Sequence, residues 1–191
     1  VPEEVSLAKI LSEFQVAIEY VKMGRKLDIS YAQHDMIQDR VIVDALRLKQ
    51  IYTNILSNAV KYTPDGGNVD VEIFEENPEE EKKIRLIAKI RDNGIGMSEE
   101  YMEEMYSKFT RATDTRINKV QGHGLGLSIV KELVDLMGGE IQVRSKLGEG
   151  TLFEILIDLD YVNQKEETSV EERKEDYAGY CKGMHLLVAE D

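Results

Sequence analysis

Apolar residues recur at helical spacing early in the chain. A first helix is predicted from Ser6 to about Met23, with Ser6 as its N-cap and Gly24 at its end. Asp44 is placed to cap a second helix, "ALRLKQIYTNILSNAVKYT", which ends before Pro64. The first helix is amphipathic, and its buried side is predicted to carry Leu7, Ile10, Leu11, Phe14, Ile18 and Val21.

Stretches of alternating polar and apolar residues predict strands. "KLDIS" and "RVIVD" lie between the first two helices, "NVDVEIF" and "KKIRLIAKIRD" form a hairpin, and "EIQVRS" and "TLFEILIDL" form another. A short helix from Ser98 to about Ser107 and a longer one, "LGLSIVKELVDLM", closed by Gly138 and Gly139, separate the hairpins. This order predicts a two-layer α/β (α+β) sandwich, with helices on one face of a mixed, mostly antiparallel sheet.

The composition changes after Asp160. The segment "YVNQKEETSVEERKEDYAGY" is polar and charged with few core residues, which is typical of a linker. It is followed by "MHLLVAED", an apolar strand that ends in two carboxylates. We therefore expect one domain over residues 1–160, an acidic linker over 161–183, and the first strand of a further domain over 184–191.

The overall charge excludes some partners. A net charge of -13 argues against nucleic acid or an anionic membrane as the main partner, because both need a basic face. A single cysteine, Cys181, supports neither an intramolecular disulfide nor a cysteine zinc site. No apolar run approaches the length of a membrane span, and "VPEEVSLAKI" is unlike a signal peptide. A cytoplasmic setting is expected, which allows a parent protein anchored in the inner membrane.

The second helix carries a polar stripe. Asn54, Asn58, Lys61 and Tyr62 fall on one face, at positions i, i+4, i+7 and i+8. Asparagine is a poor interior helix former, so two of them one turn apart indicate amide oxygens directed at a ligand. Mg²⁺ takes oxygen ligands and shares substrate phosphates, so the stripe fits a metal-phosphate site. A plain surface helix is the alternative.

Two glycine-rich segments are candidates for nucleotide binding. In "RDNGIGM", Asp92 can accept a hydrogen bond from an amino group such as that of adenine, and the glycines permit close approach of a planar ring. An ordinary turn is the alternative. In "QGHGLGLSIVK", glycines precede a helix N-terminus, which is a ready anion site, and a flexible hinge at these glycines is compatible with that role. The spacing fits neither a P-loop nor a dinucleotide fingerprint.

A polar stretch, "YSKFTRATDTRINKVQ", separates these two segments. Its cations can supply a mobile lid over a triphosphate, although a disordered loop is an equally simple interpretation. "GEGT" near the end of the domain is most simply a hairpin turn. The cations of the stretch are Lys108, Arg111, Arg116 and Lys119.

Taken in order, five segments resemble the motifs of histidine kinase catalytic domains. "NILSNAVKY" resembles the N box, "DNGIGM" the first glycine box, "YSKFTRA" the F box, "GHGLGLSIVK" the second glycine box and "GEGTLFEI" the third. The resemblance spans residues 1 to 160. It implies the Bergerat fold shared with gyrase B, the Hsp90 chaperones and MutL, which binds ATP between the N-box helix and a lid.

The resemblance also implies roles for single residues. Asn58 would ligate Mg²⁺ beside Asn54, and Lys61 would contact phosphate. Tyr62 would line the adenine pocket, in which Asp92 would accept a hydrogen bond from the adenine amino group. The catalytic set would be Asn54, Lys61 and Arg111. The rest of the ATP site would comprise Gly94 and Gly96 under the base, Gly122, Gly124 and Gly126 around the phosphates, Arg116 on the lid, and Phe109, Leu125, Leu127 and Thr151 within their motifs. His123, where the family often has Thr, is the one departure.

The implied reaction is transfer of the ATP γ-phosphoryl group to a histidine on a preceding helical-hairpin domain. ATPase members of the superfamily carry Glu at the place of Asn54, and an amide cannot act as a general base, so transfer is favoured over hydrolysis. None of His34, His123 and His185 lies in a sequence like the family's phosphoacceptor box, so autophosphorylation is not expected.

"MHLLVAED" resembles the first strand of a receiver domain, with Glu190 and Asp191 as its acids, which suggests a hybrid kinase. The expected partners are therefore the hairpin domain and a receiver domain of the parent or of a response regulator. We expect a monomeric fragment of a dimeric parent, with no contact to nucleic acid or membrane. The alternatives are an anti-sigma-factor-type serine kinase, a nucleotide-binding scaffold without catalysis, and a plain ATPase, which Asn54 disfavours.

Overall fold

Strands and helices alternate along the chain. The computed structural model describes residues 1–34, 36, 38–77, 82–107 and 126–162. The strands within these ranges are β1 (Glu3–Ser6), β2 (Asp28–Gln33), β3 (Arg40–Val43), β4 (Asn68–Glu76), β5 (Lys83–Asp92), β6 (Glu140–Lys146) and β7 (Gly150–Tyr161). The helices are α1 (Leu7–Lys22), α2 (Ala45–Tyr62), α3 (Glu99–Glu104) and α4 (Gly126–Leu136).

All of these strands belong to one sheet, in the order β1-β3-β7-β5-β4-β2, with β6 also paired to β7. The long strand β7 accommodates two neighbours on one edge, because β6 pairs with its first half and β3 with its end. Strands β2 and β4 are parallel, and the other pairings among the described strands are antiparallel. The predicted mixed, mostly antiparallel sheet is confirmed. Strand β1 was not predicted.

The helix ends follow from local hydrogen bonds. The Ser6 hydroxyl accepts the Lys9 amide at 3.1 Å, and the Asp44 carboxylate accepts the Arg47 amide at 3.2 Å, so both predicted N-caps are present. After α1, Gly24 has a φ of 80°, a conformation that glycine adopts without strain. Helix α3 is shorter than predicted.

The core lies between the helices and one face of the sheet. Alternate residues of β5, among them Leu86 and Ile90, pack with Phe14 of α1, Ile55 of α2 and Val130 of α4. Helix α2 is central, because it contacts α1, α4 and β5. This is the predicted two-layer sandwich. It leaves one edge of α2 available for a site.

The opposite face of the sheet carries a ladder of charges with an apolar row across it. Basic residues of β5 face acidic residues of β4 and β7; Arg85, for example, donates to both carboxylate oxygens of Asp158, at 2.7 and 2.9 Å. The ladder is interrupted where Ile87 pairs with Phe74 on one side and Leu156 on the other. Ile87 is only 3% exposed, so this row excludes water on the face that the helices do not cover.

Residues Val1–Tyr161 form one compact unit. The linker predicted from residue 161 and the receiver-like strand lie almost wholly outside the described residues, so both stay predictions. Within the described ranges, no helix has the length and apolar character that crossing a membrane requires.

Candidate functional site

The polar stripe of α2 is held in place by the burial of its other side. Ile51 and Ile55 are fully buried in the core, whereas Asn54, Asn58 and Lys61 are only partly exposed along the edge of the helix. The side-chain amides of Asn54 and Asn58 make no hydrogen bond to another residue of the described part of the chain. Two polar groups at the rim of a core are therefore available to a ligand.

Helix α4 begins beside the Asn58 amide. A Cβ atom placed on Gly126, the first residue of α4, would lie 3.9 Å from Asn58 Nδ2. The first amides of a helix lack partners within it and carry the positive end of its dipole, so they attract anions. The polar stripe of α2 and the start of α4 thus lie side by side, so the Asn58 side-chain amide is next to a helix N-terminus that favours anions.

The C-terminal end of α2 carries Lys61 and Tyr62. The Lys61 ammonium lies 5.0 Å from the centre of the Tyr62 ring, a cation-π contact worth about 0.5–1 kcal/mol at such an exposed site. This attraction is weak enough for a phosphate to displace. Tyr101 of α3 lies near Tyr62; its burial, with a smaller contribution from Tyr62, raises its pKa. The sequence did not single out Tyr101, because one tyrosine in a short polar helix follows no pattern.

Asp92 is a buried carboxylate at the end of β5. It is 7% exposed, and the Gly94 amide donates to its Oδ1 at 2.9 Å. Burial raises the pKa of Asp92 to about 6, against the lowering effect of hydrogen bonds from the Gly94 and Thr151 amides. Above that pH the side chain is ionised and can only accept hydrogen bonds. A ligand at this point must therefore donate one.

Gly94 and Gly96 fit tightly against neighbouring backbone. A Cβ on Gly94 would lie 2.6 Å from the Tyr62 carbonyl oxygen, and a Cβ on Gly96, whose φ is 63°, would overlap the carbonyl oxygen of Lys146. The Ile95 amide between them donates to the Tyr62 carbonyl at 3.2 Å. Gly94 therefore lets the loop after Asp92 lie against the end of α2, and Gly96 lets it lie against the end of β6.

Thr151 stands opposite Asp92 in the sheet and is 8% exposed. Its hydroxyl lies 2.9 Å from that of Ser145, which also accepts the Met97 amide at 2.8 Å. Thr151 was predicted to belong to the site because it lies in the third glycine box. Ser145 was predicted only as a residue of the β6 strand. Ser145 and Thr151 face each other across the predicted β6-β7 hairpin, but Ser145 lies in none of the five motifs.

The structure brings a large part of the predicted site together. Near one another lie the stripe on α2, Asp92 with its glycine loop, Thr151 and the start of α4. Leu127 of α4 is partly buried and packs against the core. The remaining predicted residues lie outside the described part of the chain, and the roles given to them stay predictions: Phe109, Arg111, Arg116, Gly122, Gly124 and Leu125, together with His123.

The sequence and the fold both match known proteins. Residues 43–161 match the model of the histidine kinase-, DNA gyrase B- and HSP90-like ATPase family. The chain is 39% identical over 127 residues to the sensor protein GacS of Pseudomonas syringae pv. syringae, a match that covers 66% of this chain and 14% of GacS. The chain thus spans about one seventh of the length of that relative.

Solved structures of histidine kinases share the fold. The mycobacterial sensor histidine kinase MprB superposes with a TM-score of 0.65 at 26% identity, over 85% of this chain and 100% of the MprB chain. The catalytic domain of histidine kinase ThkA superposes with a TM-score of 0.62 at 26% identity, over 82% of this chain and 95% of that one. The chain therefore belongs to the histidine kinase-, DNA gyrase B- and HSP90-like ATPase family, as an ATP-binding catalytic domain of the sensor histidine kinase type.

Proposed function

We propose that this chain binds ATP with Mg²⁺ and transfers the γ-phosphoryl group to a histidine of a helical-hairpin domain. The observation that carries the proposal is the position of α2 between two complementary sites. Its Asn58 lies beside the anion site at the start of α4, and its Tyr62 carbonyl holds the loop of Asp92. Asn58 and Tyr62 are about 6 Å apart along the helix axis, so one rigid element orients base and phosphates together.

The chemistry of Asn54 favours transfer over hydrolysis. A water molecule needs a general base to attack a phosphoryl group efficiently, and an amide cannot take up the proton. An imidazole nitrogen is itself a nucleophile at neutral pH. Its lone pair would form the new bond to the γ-phosphorus while the bond to the bridging oxygen breaks and ADP leaves. The site then has to align the reactants rather than activate them.

The donor set fits Mg²⁺. The Asn58 side-chain amide lies beside the start of α4, with Asn54 one turn away, and magnesium accepts amide oxygens while it keeps phosphate oxygens in its shell. When bound, the ion neutralises charge on the β- and γ-phosphates. Asn58 is the proposed ligand. Lys61, whose ammonium lies over the Tyr62 ring, is the proposed phosphate contact.

The proposed partners are the hairpin domain that carries the histidine and a receiver domain that takes the phosphoryl group onward. Support comes from the names of the relatives: GacS is called a sensor protein, and the signal transduction histidine-protein kinase BarA of Escherichia coli K12 is 33% identical over 81% of this chain. The receiver-like strand at Glu190 and Asp191 agrees with this proposal, although it lies outside the described residues.

Binding is tested by calorimetric titration with a non-hydrolysable ATP analogue, with and without Mg²⁺. We expect magnesium-dependent binding that loses its magnesium dependence in Asn58→Ala, because the amide oxygen is gone. Ser57→Ala is the matched control, since Ser57 is the exposed neighbour on the same helix. Equal magnesium dependence in wild type and Asn58→Ala would refute the ligand assignment.

Transfer is tested by adding ATP and a purified sensor-kinase hairpin domain, with a histidine-to-glutamine variant of that domain as control. Acid-labile phosphate on the wild-type hairpin alone is the expected result. Acid-stable phosphate on serine would indicate a serine kinase instead. Phosphate release without transfer would indicate an ATPase, and binding without either reaction would indicate a scaffold.

A further inference from the structure

The Ser145 hydroxyl joins three segments beside the buried carboxylate Asp92. It accepts the amide of Met97, the last residue of the first glycine box, at 2.8 Å. It donates to the carbonyl oxygen of Gly150 at 2.9 Å and lies 2.9 Å from the hydroxyl of Thr151. The whole arrangement is partly buried, so water does not freely replace these bonds.

The direction of each bond follows from counting protons. A serine hydroxyl has one proton to donate and two lone pairs with which to accept. The carbonyl oxygen of Gly150 can only accept, so the Ser145 proton is directed there. The Met97 amide occupies one lone pair of Ser145, and the Thr151 hydroxyl must donate to the other. The Thr151 proton is therefore committed to Ser145.

Thr151 consequently presents only lone pairs toward Asp92. The two residues are opposite each other in the β5-β7 pairing, so their side chains lie on the same face of the sheet. In addition, the backbone amide of Thr151 donates to the Asp92 carboxylate. An ionised carboxylate accepts hydrogen bonds and donates none. Both groups are almost completely buried, at 7% and 8% exposure. This corner of the pocket is thus a pair of acceptors.

We propose that Ser145 is a positioning residue for base selectivity: by holding the Thr151 proton, it keeps the pocket a pair of acceptors that admits the amino group of adenine and rejects guanine. This inference rests on the proposed function, in which the base lies against Asp92. The adenine amino group has two N-H donors and can satisfy both acceptors. Guanine carries an oxygen in the same place, and that oxygen would face two buried lone pairs without a proton between them.

The variant Ser145→Ala tests the proposal. Without the serine, the Thr151 hydroxyl can rotate and donate into the pocket, which relieves the clash with guanine. We expect the ratio of the GMPPNP to the AMPPNP dissociation constant to fall about tenfold, the usual effect of one hydrogen bond. Both constants are measured by displacement of a fluorescent ATP analogue. A general loosening of the Met97 loop would weaken both ligands and leave the ratio unchanged.

Three further variants separate positioning from structure. Ser145→Thr keeps a hydroxyl and is expected to restore the wild-type ratio. In a Thr151→Val background there is no proton to release, so adding Ser145→Ala is expected to leave the ratio where Thr151→Val alone sets it. Melting temperatures are recorded for every variant. They show whether a variant has simply lost its fold.

An unchanged ratio in Ser145→Ala overturns the inference, as does an equal change in the Thr151→Val background. The proposed function survives both of those results, provided that wild type binds AMPPNP and Asp92→Asn does not. A wild-type protein that does not bind AMPPNP overturns the proposed function and this inference together.

Discussion

The buried carboxylate of Asp92, which is proposed to bind the ligand, lowers the stability of the folded state. Its carboxylate is buried at a strand end, and the two amides that donate to it offset only part of the lost hydration, so its pKa stays raised at about 6. Compared with the ordinary value of 3.8, this difference corresponds to roughly 3 kcal/mol at most for the ionised form. A ligand that donates to the carboxylate would recover part of this free energy.

The variant Asp92→Asn is therefore expected to be more stable than wild type at pH 7.5 and unable to bind the nucleotide. Between about pH 4 and 6 the folded wild-type protein binds more protons than the unfolded one, so its stability falls as the pH rises through that window. The stabilising effect of Asp92→Asn should accordingly shrink at pH 5. Thermal unfolding at both pH values measures it. Asp28→Asn, at an exposed carboxylate, is the control. A lower melting temperature of Asp92→Asn than of wild type at both pH values would contradict a destabilising effect of the buried carboxylate.

In helix α2, the residue that caps the helix and the residues that form the candidate site lie at opposite ends. Its N-cap, Asp44, lies at one end, while the stripe from Asn54 to Tyr62 occupies the other. The Asp44 carboxylate accepts the Arg47 amide and also pairs with the Arg47 guanidinium at 3.3 Å. The cap and the ion pair can be separated, because asparagine is as good a cap as aspartate.

We expect Asp44→Ala to lower the free energy of unfolding by about 1 kcal/mol, the usual cost of a lost cap. Nucleotide affinity should not change, because the cap is remote from the stripe. Asp44→Asn keeps the acceptor and removes the charge, so it isolates the capping contribution. Urea unfolding gives the stabilities. A drop in affinity in Asp44→Ala would show that the two ends of α2 are coupled.

Elements were predictable from the sequence where the signal is local. Helices α1 and α2 have caps and apolar spacing, and the stripe was visible because Asn54 and Asn58 are costly within a helix. Strand β1 was missed, since "EEVS" shows no alternation of polar and apolar residues. The parallel pairing of β2 with β4 depends on which strands become neighbours, which no local pattern encodes. The hydrogen bond from the Met97 amide to Ser145 likewise depends on tertiary packing.

Considering the domain as a whole, helix α2 contributes to both the core and the candidate site, but with residues on different faces. Ile55 is fully buried and adjacent in sequence to Asn54, yet it points into the core. Leu46, on the same helix, is 75% exposed. A change on the core face should therefore alter the stability of the domain while it leaves the ligand groups in place.

The variant Ile55→Ala is expected to lose about 2–5 kcal/mol of stability through the cavity it leaves. A nucleotide analogue at 100 times its dissociation constant should still add about 2.7 kcal/mol, as in wild type. Chemical unfolding with and without the analogue tests both expectations, and Leu46→Ala is the exposed control with little effect. A much smaller gain in Ile55→Ala would mean that core packing sets the geometry of the site.

The apolar row of Phe74, Ile87 and Leu156 has a consequence for ligand recognition. Side chains alternate along a strand, so a slip of β5 by two residues keeps the same face of β5 toward the helices. On the outer face, however, the same slip would place Ile87 against charged neighbours. It would also move Asp92 from Thr151 to Phe153 or Glu149. Three side chains roughly 17 Å from the carboxylate thus help to keep the Thr151 hydroxyl beside it.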